Sequence, residues 1–314
     1  MVAEAQEVEF MDDAPAGYDR PPVGRKAGDG VTAFHNVAVA NIRGYRPLHL
    51  DLRIPDRPDP PPVVIWIHGG GWAEGSRVSL PEPFAAADFH GRILRRGYAV
   101  ADVDYRLSRE AVFPAQLHDV KAAIRWLRAF SGELGLDADR FVAWGESAGG
   151  HLAALAGLTG TNPVAALDGE DGVLGVSSEV AAVVDWYGPA DLLGRREQAS
   201  AELRVELAKP DAADAMLLGG PVSERRDEAM AASPVSYVHP AAPPFLCMHG
   251  TADGLVPYSQ SEQLAGALRA QNVRCDLYPV EGADHVFVGA PDVGALVEAS
   301  LDFVDDVFGR GRSA

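Results

Sequence analysis

The chain has 314 residues, 47% of them hydrophobic, with 27 Lys and Arg against 45 Asp and Glu, a net charge of −18. That length and apolar content suit one large α/β unit with a sizeable core. The acidic excess supplies no cations to neutralise phosphates, which argues against nucleic acid or an anionic membrane surface as partner, and no run reaches the roughly eighteen apolar residues of a membrane span.

In chain order, Met1–Asp13 lacks the basic start and apolar stretch of a secretory signal, so the expectation is a cytoplasmic protein. Residues 1–30 are acidic and rich in Pro and Gly, which predicts a poorly ordered or surface-draped extension ahead of a folded domain over 31–314. Phe34–Ile42 and Leu48–Ile54 predict a strand pair. Val63–Ile67 is a continuous apolar strand of the kind buried on both faces. Helix is expected over Phe84–Arg96, strand over Tyr98–Asp104, and helix over Pro114–Phe130, where Leu117, Val120, Ile124 and Leu127 make an apolar stripe. Phe141–Trp144 reads as strand, Ala148–Leu158 as helix, and Val180–Trp186 and Phe245–Met248 as strands. Ser259–Ala270 is expected to be helix, Cys275–Val280 strand, and Val293–Val307 a closing helix. Strand–helix alternation of this kind predicts a mainly parallel, eight-stranded twisted sheet covered by helices on both faces. Two stretches break the rhythm, residues 159–178 and 191–233, and both are candidates for cap elements over a site.

Chemistry concentrates at the ends of the strands. Gly145-Glu146-Ser147-Ala148-Gly149 lies between a strand and a helix. A serine at the apex of such a turn needs small neighbours two residues before and after, and its hydroxyl is lifted clear of the sheet. The next N–H, of Ala148, falls at a helix N-terminus, where it favours developing negative charge. His68-Gly69-Gly70-Gly71-Trp72 directly follows the strand ending at Ile67, the form of glycine loop that lipases and esterases carry. Asp253 follows the strand ending near Met248, and His285 lies on the loop after the last strand, so the candidates run in the order Ser147, Asp253, His285. Asp284 is the rival acid, but adjacent side chains rarely face each other. His151 and His249 read as structural. Glu146 is either a support of the loop or a solvated charge. Cys247 and Cys275 read as reduced, buried thiols, since no Cys/His cluster suggests zinc.

On these motifs the chain resembles the α/β-hydrolase superfamily. More narrowly it is similar to hormone-sensitive-lipase-type and related bacterial carboxylesterases, through H-G-G-G-W, G-E-S-A-G-G and Asp104-Tyr105-Arg106-Leu107. Further segments, Phe113–Asp119, Val184–Asp191 and Ser233–Val238, resemble bacterial feruloyl and acetyl esterases of plant polysaccharide. The resemblance implies a serine carboxylesterase for small to medium esters, with Ser147 as nucleophile, His285 as base and Asp253 as its orienting acid. It implies an oxyanion hole from the N–H groups of Gly70, Gly71 and Ala148. It implies no metal and no organic cofactor, a small-molecule ester as partner and, as is frequent in the family, a homodimer. Trp72, Trp186, Tyr187, Leu255 and Phe287 stand beside these loops in sequence and are the candidate substrate-binding residues, with the core as the other home for the aromatics. An amidase or formamidase on the same machinery is the alternative, and a non-enzymatic binder on this fold is the third class.

Overall fold

The computed structural model describes residues 18–28 and 30–310. Its sheet has nine strands: β1 (Arg25–Lys26), β2 (Val31–Ala40), β3 (Leu48–Pro55), β4 (Val63–Ile67), β5 (Ala99–Val103), β6 (Phe141–Glu146), β7 (Ala182–Trp186), β8 (Phe245–Gly250) and β9 (Cys275–Val280). The order across the sheet is β1-β2-β3-β5-β4-β6-β7-β8-β9. The six strands from β5 through β9 are parallel, and β1, β2 and β3 add an antiparallel flank. All eight expected strands are present. The ninth is the two-residue β1, which pairs with β2 inside the stretch read as an extension. Residues 1–17 and Asp29 of that stretch lie outside the described residues, and Tyr18 uses its carbonyl to accept the Trp126 indole N–H at 2.9 Å.

Alternation along the central strands divides the core in two, because successive side chains point to opposite faces. Val63, Ile65 and Ile67 pack with the helices Ala115–Ala129 and Ala148–Thr161, whereas Val64 and Trp66 pack with Phe84, Phe89, Val297 and Leu301 on the other face. The helix expected over Phe84–Arg96 is two helices, Glu82–Ala86 and Phe89–Arg95. The break falls at Asp88, whose φ of 53° is left-handed and cannot continue a right-handed helix.

Because β4, β6, β7, β8 and β9 are parallel, their C-terminal ends share one edge of the sheet. The loops carrying His68–Trp72, Ser147, Asp253 and His285 therefore all leave that edge. The expectation that residues 159–178 cap the site is corrected. That segment packs along the helix Ala115–Ala129, where the buried Lys121 ammonium donates to Thr159 O at 3.0 Å and to Asp168 at 2.6 Å. The Arg125 guanidinium there donates to the carbonyls of Val173, Asp168 and Asp171 at 2.7–2.8 Å. Among the described residues none of its hydrogen bonds reaches the loops of Ser147, Asp253 or His285. Residues 191–233 hold four short helices between Arg195 and Ala231, and Arg195 in the first of them donates to Leu255 O on the loop of Asp253 at 2.7 Å. Among the described residues no helix is long and apolar enough to cross a membrane.

Candidate active site

Ser147 sits between β6 and the helix Ala148–Thr161 with φ 53° and ψ −119°, a backbone region that non-glycine residues rarely adopt. Its N–H donates to Trp186 O at 2.8 Å, which fixes the turn to the neighbouring strand. The flanking glycines are sterically required. A Cβ on Gly145 would lie 2.2 Å from Gly149 O, and one on Gly149 would lie 1.9 Å from Ile67 O. The elbow is thereby pressed against the end of β4, from which the glycine loop departs.

The three far-separated candidates meet. Ser147 Oγ is 2.9 Å from His285 Nε2, and His285 Nδ1 is 2.7 Å from Asp253 Oδ2. A carboxylate can only accept, so Nδ1 carries the proton and Nε2 is left to accept from the Ser147 hydroxyl. Asp253 Oδ1 accepts the N–H groups of Leu255 and Val256, each at 2.8 Å. Burial by itself would raise the Asp253 carboxyl, but hydrogen bonds from His249 and His285 and the Val256 N–H outweigh it and hold the group below the usual carboxylate range. Asp284 is turned away, its carboxylate accepting the N–H of Gly254 at 2.8 Å and of His285 at 2.7 Å. It thus shapes the loops but does not touch the imidazole.

His249 does more than its sequence reading suggested. Its Nε2 lies 2.9 Å from Val256 O and 3.3 Å from Asp253 Oδ2, and its Nδ1 lies 2.7 Å from Ser261 Oγ. Two acceptors at Nε2 place the proton there, so His249 supports the same carboxylate oxygen, Oδ2, that His285 contacts. The i−4 spacing ahead of Asp253 was the available signal. His151 is structural as expected: buried, it accepts the Trp72 indole N–H at 3.1 Å and donates to Ala232 O at 2.6 Å, and burial pushes its imidazole down to about 4.

The glycine loop is held from below. Glu146 is buried, and its Oε1 accepts the Gly69 N–H at 2.8 Å. Burial raises this carboxyl, and the His285 charge and the Gly69 N–H oppose the rise. Of the two readings of Glu146, support of the loop therefore holds and a solvated charge does not. Gly70 and Gly71 have φ of 103° and 57°. A Cβ on Gly70 would lie 2.4 Å from Glu74 O, so glycine is needed there. Among the described residues no acceptor is bonded to the N–H groups of Gly70, Gly71 or Ala148, which leaves all three available at the mouth.

The candidate substrate-binding aromatics need correction. Trp186 is buried on the face of Trp66 and Trp144, donates its indole N–H to Ser300 Oγ at 3.1 Å, and belongs to the core. Phe287 packs on Trp186 and Tyr187 in the same cluster. Trp72 is buried by its bond to His151. Tyr187 is buried under the triad, its ring 4.8 Å from the His285 ring in an edge contact, so it walls the imidazole. Its hydroxyl lies beside Glu146 without closing a hydrogen bond of good geometry. In each case sequence adjacency to a site loop did not reveal which face of the sheet the ring takes. Leu255 alone of the five is exposed, at 55%, beside the triad acid. Among the described residues no group of three or more His, Cys, Asp or Glu is placed to hold a metal ion.

A mainly parallel sheet with a strained serine at a strand-to-helix turn, and with acid and histidine on the loops after the last two strands, β8 and β9, defines the α/β-hydrolase class. Within it the chain belongs to the BD-FAE family, whose model matches residues 50–268. Esterase LipQ of Mycobacterium tuberculosis is 32% identical over 256 residues, which are 81% of this chain and 57% of that protein, so the chain spans little more than half the length of this curated relative. Among solved structures, a truncated carbohydrate esterase from gut microbiota superposes with a TM-score of 0.76 at 26% identity, covering 91% of this chain and 99% of that one. A thermophilic esterase from Thermogutta terrifontis gives 0.68 at 26% identity, covering 88% and 95%.

Proposed function

We propose that the chain is a serine carboxylesterase that cleaves small to medium carboxylic esters through an acyl-enzyme. The observation that carries this reading is the hydrogen-bonded row Ser147 Oγ, His285 Nε2, His285 Nδ1, Asp253 Oδ2. In this mechanism Ser147 attacks the ester carbonyl while His285 takes its proton, and the imidazolium then returns that proton to the leaving alcohol. Asp253 holds the tautomer and stabilises the imidazolium. The N–H groups of Gly70, Gly71 and Ala148 receive the oxyanion, and losing one such donor typically raises the barrier by roughly 2.7–4 kcal/mol. Water repeats the sequence on the acyl-enzyme. The names of the relatives, all esterases, support the reaction class. The match to a carbohydrate esterase over 99% of its length favours O-acyl carbohydrate among the natural esters.

The test is a panel running from p-nitrophenyl acetate to octanoate with acetylated xylan, methyl ferulate and an aryl formamide added, assayed on wild type and Ser147→Ala. Turnover by wild type and none by the folded variant is the expected result. Equal turnover by both would sink the assignment, and turnover of aryl formamides alone would move it to the amidase reading.

A further inference from the structure

We infer that Arg195 is a positioning residue for Asp253, through which the segment 191–233 clamps the triad. The inference rests on the serine-esterase reading. Arg195 is buried, and its Nη1 donates to the buried Asp214 of the same segment. Its Nη2 reaches across to the acid loop and donates to Leu255 O at 2.7 Å. Leu255 C=O and Val256 N–H belong to one peptide group, and that N–H is the one that donates to Asp253 Oδ1 at 2.8 Å. A cation bonded to the oxygen of a peptide polarises the whole unit and strengthens the N–H as a donor. The guanidinium, the peptide, the carboxylate and the His285 imidazole therefore form one continuous hydrogen-bonded chain that begins in the inserted segment.

The same element touches the other half of the site. Ala213, the neighbour of Asp214, has its Cβ 3.1 Å from where a Cβ on Gly71 would stand. The buried Arg195–Asp214 pair thus spans the space between the acid loop and the glycine loop. The segment is docked independently by Gln263 Nε2 to Asp191 Oδ2 at 2.8 Å, by His151 Nε2 to Ala232 O at 2.6 Å and by Phe113 N–H to Leu217 O at 2.8 Å. Removing the guanidinium should consequently loosen the acid loop and leave the segment in place.

Arg195→Met alone strands a buried carboxylate, so the informative variant is Arg195→Met with Asp214→Leu, because an apolar pair in place of a buried ion pair usually keeps the fold. Leu203→Ala, a buried truncation elsewhere in the segment, is the control for general loosening. The readouts are kcat and KM for p-nitrophenyl acetate and the low-field proton resonance of the His285–Asp253 hydrogen bond. The double variant should lose between about 10- and 100-fold in kcat with KM within about threefold, as small displacements in an active site do, and its resonance should broaden away. The control should keep both. Wild-type kcat and resonance in the folded double variant, or the same losses in the control, would overturn the clamp. Wild-type protein that shows the resonance but neither turns over esters nor takes a fluorophosphonate label on Ser147 would sink the esterase reading alone, and the resonance would still decide the clamp.

Discussion

Glu146 and Gly69 are joined at 2.8 Å, carboxylate to backbone N–H, so the residue before Ser147 holds the first glycine of the loop proposed to receive the oxyanion. The fit is tight, since a Cβ on Gly69 would stand 2.1 Å from Glu146 Oε1. Gly69→Ala should displace the loop and lower kcat/KM by about 100-fold or more, the scale of a lost oxyanion donor. Glu146→Gln keeps an acceptor and should retain far more activity than Glu146→Ala. Steady-state kinetics on the three variants checks the ranking, and equal activity in the Gln and Ala variants would contradict it.

His249 should matter to both stability and rate. Its removal leaves Val256 O and the Ser261 hydroxyl buried without their partner and takes one support from Asp253. His249→Ala should cost about 2–4 kcal/mol of stability, combining a cavity with unpaired polar groups. It should also lower kcat several-fold with little change in KM. Denaturant titration and kinetics on the same preparation would read both effects.

Two buried carboxylates should respond to pH with opposite signs. Asp253 is held below its ordinary value, so its stabilising contribution is present at neutral pH and is lost only as the solution becomes strongly acid. Asp185 is pushed up to about 6 by burial, with the Gly188 N–H and the His249 charge opposing. The folded state therefore binds a proton more tightly than the unfolded chain, and stability falls as pH rises from about 4 to above 6. Asp185→Asn should abolish that fall, by up to about 3 kcal/mol. Whatever the amide itself costs is constant with pH. Melting curves of wild type and variant at pH 5 and pH 8 should diverge toward the alkaline side, and parallel curves would refute the assignment.

The two thiols should be silent in the folded protein. Cys247 and Cys275 lie on adjacent strands with their sulfurs 3.8 Å apart, well beyond the roughly 2.05 Å of a disulfide. The contact with Cys275 and burial together push the Cys247 thiol up. Dithiothreitol should leave the melting temperature unchanged, and a thiol reagent should count two groups after denaturation and almost none before.

Sequence patterning made the sheet legible because its strands, six parallel and two antiparallel, read as short apolar-rich runs, and all eight runs read in this way became strands. Ser147, Asp253 and His285 were legible as a set because each carries a local signature at a strand end, and their side chains lie within hydrogen-bond distance of one another in a row. What escaped were relationships set by packing between distant segments. Nothing near Arg195 announces that it bonds the peptide behind Asp253, and nothing in Trp186 or Phe287 tells that their rings turn into the core cluster of Trp66 and Trp144. The break at Asp88 escaped because aspartate is usually right-handed and nothing local marks its φ of 53°, although Phe84 and Phe89 on either side of it pack in the same core cluster.

The abutment of Gly149 on the carbonyl of Ile67 reaches beyond rigidity. It makes the nucleophile turn and the end of β4 a lock and its key, cut to one shared clearance. A foreign glycine loop grafted from a relative would seat only if its own serine turn came with it, and random variation at either motif should be tolerated mainly in matched pairs. Libraries meant to reshape this protein's selectivity would do better to leave both untouched and diversify residues 191–233 and the exposed Leu255.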